Sequence, residues 1–108
     1  VLTGRLSLQE MVALTSTNAA RLFGLFPQKG TVAVGSDADI VVWDPAYSST
    51  ITAKNQTQRV DYTPYEGFKQ QGRALHVFLR GNKVVLDGKL LENKPGGKYL
   101  SRKPFSGR

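Results

Sequence analysis

The sequence predicts an α+β fragment, two short N-terminal helices leading into a β-rich part, and three observations carry that expectation. Ser7-Leu8-Gln9-Glu10 has the form of a capping box, set ahead of apolar residues at helical spacing. Asp39-Ile40-Val41-Val42-Trp43 contains a continuous apolar run of strand length. Two dipeptides suited to tight hairpins, Gly81-Asn82 and Asp87-Gly88, punctuate residues 74–91.

In the first helix the Ser7 hydroxyl satisfies an orphan backbone N–H and Glu10 reaches back to the cap. Leu8, Met11, Val12 and Thr15 fall three and four residues apart, so one mostly apolar face needs a surface to pack on. Asn18 is a second candidate cap, placed before Ala19-Ala20-Arg21-Leu22-Phe23. Gly24 stands where a left-handed residue would end that second helix. Pro27 rules out continuation, and Gln28-Lys29-Gly30 reads as a turn.

Thr31-Val32-Ala33-Val34 suits a brief extended piece, ended by the turn residues Gly35-Ser36-Asp37. The strand at 39–43 should be covered on both faces, and Asp44-Pro45 should close it because proline cannot donate into a ladder. Thr50-Ile51-Thr52-Ala53 alternates like a short strand, and residues 54–72 then lose periodicity, with Tyr62, Tyr65 and Phe68 as anchors. Ala74 to Arg80, Lys83 to Leu86 and Lys89 to Leu91 form the expected three-stranded meander. Leu75, Val77 and Leu79 should share one face, and His76, Phe78 and Arg80 the other. The expected division is therefore 1–27 for the helices, 28–92 for the β-rich portion and 93–108 for a basic extended tail.

The chain has 108 residues, 40% of them apolar, which allows one small core and no second one. A strand buried on both faces needs more cover than two short helices and a meander supply, so burial alone points to missing partners. Met11, the only methionine, lies inside the helical pattern, and Val1 is expected not to be an initiator position. Nothing approaches a membrane span or a signal peptide, which predicts no membrane partner and a cytoplasmic location. With no cysteine there are no disulfides, thiolate sites or cysteine nucleophiles. The net charge of +7 is uneven: residues 46–108 hold twelve Lys and Arg against four Asp and Glu. Such asymmetry marks nucleic-acid or membrane contact, or a basic tail lying on an acidic partner.

Four segments together resemble one known group. They are Ser16-Thr17-Asn18-Ala19-Ala20-Arg21-Leu22-Phe23-Gly24-Leu25, then Lys29 through Pro45 with Gly35-Ser36-Asp37-Ala38-Asp39-Ile40-Val41 at its centre, then Asp61-Tyr62-Thr63-Pro64-Tyr65-Glu66-Gly67-Phe68, and Val77-Phe78-Leu79-Arg80-Gly81-Asn82-Lys83-Val84-Val85. In order and content they resemble the C-terminal region of the dihydropyrimidinase and D-hydantoinase family within the amidohydrolase superfamily. The likeness runs from near Val1 to about Phe105. The Gly-Ser-Asp-Ala-Asp-Ile-Val block marks the wider superfamily, and the Tyr-x-x-Tyr-Glu-Gly-Phe block narrows it.

The resemblance implies a TIM-like barrel beside a small β-sandwich built from both chain ends. Residues 7–24 would be the last helices packed on the barrel, and residues 31–91 would supply sandwich strands. It implies hydrolysis of the ring amide of 5,6-dihydropyrimidines or hydantoins, a step of pyrimidine catabolism, by two divalent metals, usually zinc. Those metals are bridged by a carboxylated lysine and held by histidines and an aspartate, and they generate and direct the attacking hydroxide. No position here matches those ligands, so no catalytic, cofactor-binding or metal residue is assigned, and this piece is expected to be structural. Its expected partners are the remainder of the same polypeptide and, through residues 93–105, a neighbouring subunit of a homotetramer.

His76 lacks a second ligand at workable spacing and reads as a structural histidine. Asp37-Ala38-Asp39 begins like a calcium loop but lacks the rest of that motif, so it reads as a turn with a strand-entry aspartate. Ser7, Ser16 and Ser36 read as caps and turns. Two rival classes stand beside the enzyme. One is a non-catalytic dihydropyrimidinase-related assembly protein. The other is a basic nucleic-acid-binding module using Tyr62, Tyr65, Phe68, Phe78, Tyr99 and Phe105 for stacking, and it is the less favoured.

Overall fold

The structure, a computed structural model, describes Val1, residues 3–91 and residues 96–104. Residue 92, the last of the expected β-rich portion, and residues 93–95 and 105–108 of the expected tail lie outside the described residues.

One helix, α1, opens the fold. Its α-helical turns Leu8–Val12 and Asn18–Leu22 are joined by a π-helical turn at Ala13–Thr17. Ser7 and Glu10 form the complete capping box, Glu10 accepting from the Ser7 N–H at 2.7 Å and the Ser7 hydroxyl accepting from the Glu10 N–H at 3.2 Å. The expected pair of helices is thus a single one. Asn18 has helical dihedrals (φ −67°, ψ −38°) and Thr17 before it makes no side-chain cap, so no break separates the two halves. Gly24 does end the helix, at φ +66°, and the Leu25 and Gly24 N–H groups return to the carbonyls of Ala20 and Arg21 in the Schellman pattern.

Four antiparallel strands follow in the order β1-β2-β3-β4: β1 Ile40–Thr50, β2 Lys69–Leu79, β3 Asn82–Leu86 and β4 Lys89–Leu90. Three expectations change. Asp44-Pro45 does not close β1, because a register irregularity between Asp44 and Ser48 carries Pro45 past the ladder and pairing resumes at Ser48. The irregular stretch ends at Phe68, since Lys69, Gln70 and Gln71 pair with Thr50, Ser49 and Ser48, a polar ladder with no hydrophobic signature. Thr31–Val34 forms no strand. Val32 and Val34 are 83% and 108% exposed, and the Ser36 N–H turns back to the Ala33 carbonyl.

Both hairpins of the meander form. Asp87 and Gly88 take left-handed dihedrals at the second, as expected. At the first, the left-handed pair is Arg80 and Gly81 (φ +48° and +79°), one residue earlier than Gly81-Asn82. The loop 52–68 is tied at its base by Ile51, which donates to the Phe68 carbonyl and accepts from the Gly67 N–H, both at 2.9 Å.

The packing is thin. Among the described residues only Ala20, Thr63 and Gly72 are buried, and no large side chain is fully enclosed. The surface measures 9005 Å², against roughly 5,900 Å² for a folded monomer of this mass. Part of that excess is the extended tail Gly96–Pro104, but much of it is apolar: Leu8, Leu14, Leu22, Val41 and Trp43 are each more than half exposed.

Candidate functional site

A polar joint made by residues 28–39 links α1 to the sheet. On the helix side, Gly30 lies against Ala20 so closely that a Cβ at Gly30 would stand 2.5 Å from the Ala20 Cβ, and the Thr17 hydroxyl donates to the Gly30 carbonyl at 2.8 Å. On the sheet side, Lys29 ion-pairs with both Asp37, at 2.9 Å, and Asp39. Asp39 also accepts the Arg80 N–H at 2.8 Å, and the Gly81 N–H donates to the Ala38 carbonyl at 3.0 Å. The left-handed Arg80 is therefore held by the strand-entry segment opposite it.

Each charge in the joint is met by a contact. The hydrogen bond from Lys29 holds the Asp37 carboxyl below its ordinary range. For Asp39, partial burial pushes upward but is outweighed by Lys29 and the Arg80 N–H, so its carboxyl is also held low. Lys29 is raised in turn, chiefly by its bond to Asp39. Asp37 and Asp39 are both engaged by one lysine, the arrangement of a structural turn.

His76 faces the β3–β4 turn, its Nδ1 accepting the Asp87 N–H at 3.2 Å and its Nε2 lying 3.9 Å from the Asp87 carboxylate. Among the described residues no group of three or more His, Asp or Glu side chains is placed to hold a metal ion. The two divalent metals that the resemblance implies therefore do not fit the described residues of this chain. Ser7 caps α1, Ser36 donates to the Pro27 carbonyl at 2.7 Å, and Ser16 lies in the π turn. Of the basic residues, Arg73 stacks 4.2 Å over Tyr47 beside Asp44, Arg80 donates to the Gly96 carbonyl, and Lys69 binds the Thr50 hydroxyl. Tyr62, Tyr65 and Phe68 remain exposed on the 52–68 loop, where Tyr65 and Phe68 meet edge to face at 6.1 Å.

The tail lies closer to its own chain than expected. The Lys103 N–H donates to the Gly24 carbonyl at 3.0 Å, and the absence of a Cβ at Gly24 admits the Lys103 backbone there.

The family model for the amidohydrolase family matches residues 2–84. The chain belongs to the amidohydrolase family. Within it, the chain is 46% identical over 105 residues to a D-phenylhydantoinase of Escherichia coli O1:K1 / APEC, covering 97% of the chain and 23% of that relative. It is 47% identical over 103 residues to a D-hydantoinase of Geobacillus stearothermophilus, covering 94% and 22%. The solved D-hydantoinase (dihydropyrimidinase) from Thermus sp. superposes with a TM-score of 0.92 at 50% identity, covering 96% of this chain and 23% of that one. This amidohydrolase chain thus spans about a quarter of the length of the relatives it matches.

Sequence reasoning noticed Asp37 and Asp39 and missed Lys29, which it read only as part of a turn. Lys29 stands eight and ten residues before its partners, across a loop with no periodic pattern. The glycine flanking it was the available signal, because Gly30 at φ +82° marks a close backbone approach.

Proposed function

We propose that this chain is the C-terminal, non-catalytic portion of a longer amidohydrolase that opens the ring amide of 5,6-dihydropyrimidines or hydantoins. The observation that carries this reading is the match to hydantoinases over 97% of the chain at 46% identity, together with a TM-score of 0.92 to a solved one. The metal chemistry, with zinc as the metal proposed, belongs to a barrel made elsewhere in the polypeptide. The residues here complete a small sandwich, 28–92, and present the helix, 1–27, to that barrel. The tail, 93–108, is proposed to reach a neighbouring subunit of a cytoplasmic homotetramer. The excess of exposed apolar surface supports a covered, load-sharing role, since unburied leucines and a tryptophan in such number mark an interaction surface.

The test is ring opening by the full-length polypeptide loaded with zinc, with dihydrouracil and hydantoin followed by appearance of the N-carbamoyl product. Hydrolysis of either ring, abolished by a chelator and restored by metal, is the expected result. A metal-replete protein that opens neither ring would move the chain to the non-catalytic, assembly-forming relatives.

A further inference from the structure

We propose that the β3–β4 turn is a proton-operated latch over Arg73, shut while His76 is neutral and released when its imidazole takes up a proton. The device is independent of the ring chemistry proposed above.

Three contacts close the turn on β2. The Asp87 N–H donates to His76 Nδ1 at 3.2 Å, and the Gly88 N–H donates to the Leu75 carbonyl at 2.8 Å. Gly88 also lies directly against the Arg73 guanidinium: a Cβ there would stand 2.6 Å from Nη1 and 3.0 Å from Cζ. Few bonds oppose opening. Strand β4 is two residues long, and Asp87 holds a left-handed φ of +51°, which costs a residue with a Cβ.

A backbone N–H can only donate, so the ring nitrogen that receives it must carry a lone pair. The closed turn thereby selects neutral His76 with its proton on Nε2, and a proton added at Nδ1 sets two donors against each other. The surrounding charges modify that loss without reversing it. The Asp87 carboxylate, 3.9 Å from Nε2, draws a proton to the ring, but it is 73% exposed and its pull is screened. Arg73 on β2 opposes a second cation beside the same turn, and Asp44 on β1 is engaged with Arg73, 3.9 Å from its Nε. Lys89 opens β4 with another positive charge, and Lys83 on β3 lies over the Phe78 ring, two residues along from His76. The β1 residue paired with His76 is the uncharged Val42.

What the closed turn covers is chemically unfinished. The Arg73 guanidinium rests 4.2 Å over the Tyr47 ring, and its Nε is enclosed without a hydrogen-bond acceptor. An enclosed donor left unpaired is costly, and opening the turn lets water reach it. The released state therefore gains hydration at Arg73 as it loses the bond to His76, and a modest push moves the balance.

Hydrogen–deuterium exchange of the full-length protein tests the latch, read on peptides spanning 81–91 and corrected by an unfolded reference at each pH. Protection of the Asp87 and Gly88 amides is expected to fall about threefold between pH 8 and pH 5, the worth of one partly exposed hydrogen bond less the pull of Asp87. Asp87→Asn removes that pull and should deepen the fall, whereas His76→Gln, neutral throughout, should abolish it. Equal protection at both pH values, or the same fall in His76→Gln, overturns the latch. A second arm at fixed pH 8 reads the cover. With His76→Ala, phenylglyoxal should modify Arg73 about threefold faster than in the wild type, with the exposed Arg59 as internal standard. An unchanged rate at Arg73 overturns the claim that the turn shields it.

Discussion

The joint at residues 28–39 and the outer faces of α1 and β1 are satisfied in opposite ways. In the joint, Lys29, Asp37, Asp39, Thr17 and the Arg80 backbone all find partners within the chain, at separations up to 41 residues. On the outer faces, Leu8, Leu14, Leu22, Val41 and Trp43 find almost none. Polar contacts are directional and specify geometry, whereas apolar burial is non-directional and supplies most of the free energy. The chain thus carries the instructions for how helix and sheet sit together, while much of its apolar surface stays outside any core of its own.

Breaking the joint at its tightest point should have the largest effect. Gly30→Ala places a Cβ 2.5 Å from that of Ala20 at φ +82°, and overpacking plus a left-handed non-glycine residue costs about 3 kcal/mol together. Gly35→Ala is the control: its φ is +90° but nothing lies within 4 Å, so only the backbone cost of about 1 kcal/mol applies. Denaturant unfolding of the full-length protein measures both. Equal losses would mean that the helix and loop do not meet as described.

Next in size is the ionic part of the joint. Asp39→Asn weakens the tie to Lys29 and the acceptor for Arg80, a loss of about 1.5 kcal/mol after allowance for its partial exposure. The pH dependence follows from the directions already given. Asp37 and Asp39 are lowered in the fold, so their contribution is present above about pH 4 and is lost as pH falls through their folded values. Lys29 is raised, so its contribution is complete below its ordinary value of 10.5 and is lost as pH climbs through the folded one. Wild type and Lys29→Met should therefore differ in unfolding free energy at neutral pH and converge in acid. A gap that stayed constant down to pH values well below 4 would show that the carboxylates are not the partners that matter.

Legibility in the sequence follows the same division. The Ser7 cap, the Gly24 stop and the hairpins after β2 and β3 were readable because each is decided by residues within four positions of one another. Asn18 misled because a cap residue inside a continuous helix is indistinguishable from a cap until the preceding backbone is seen, and Thr17 turned out helical. The start of β2 was invisible because Lys69-Gln70-Gln71 pairs through backbone and polar side-chain contacts, and its side chains carry no apolar alternation. At the site, Asp39 was legible as a strand-entry residue while its ties to Lys29 and Arg80 were not, since nothing local fixes a partner ten or 41 residues away. The family resemblance supplied what periodicity could not, the four matched segments that place the chain among amidohydrolases.

The smallest predicted effect concerns a third surface, the tail seat at Gly24, and it shows whether shape or side-chain chemistry holds the tail. The contact is backbone to backbone, and a Cβ at Gly24 would fall 1.8 Å from the Lys103 carbonyl oxygen. Gly24→Ala should therefore expel the tail while costing the helix end about 1 kcal/mol for its left-handed dihedrals. Limited trypsin digestion under native conditions then cuts faster after Arg102 than in the wild type. Lys103→Ala keeps the N–H that Gly24 receives and leaves the cut after Arg102 slow. If instead the alanine at 103 frees the tail and the alanine at 24 does not, the lysine side chain holds the segment, and the seat is electrostatic like the joint and not a matter of close approach.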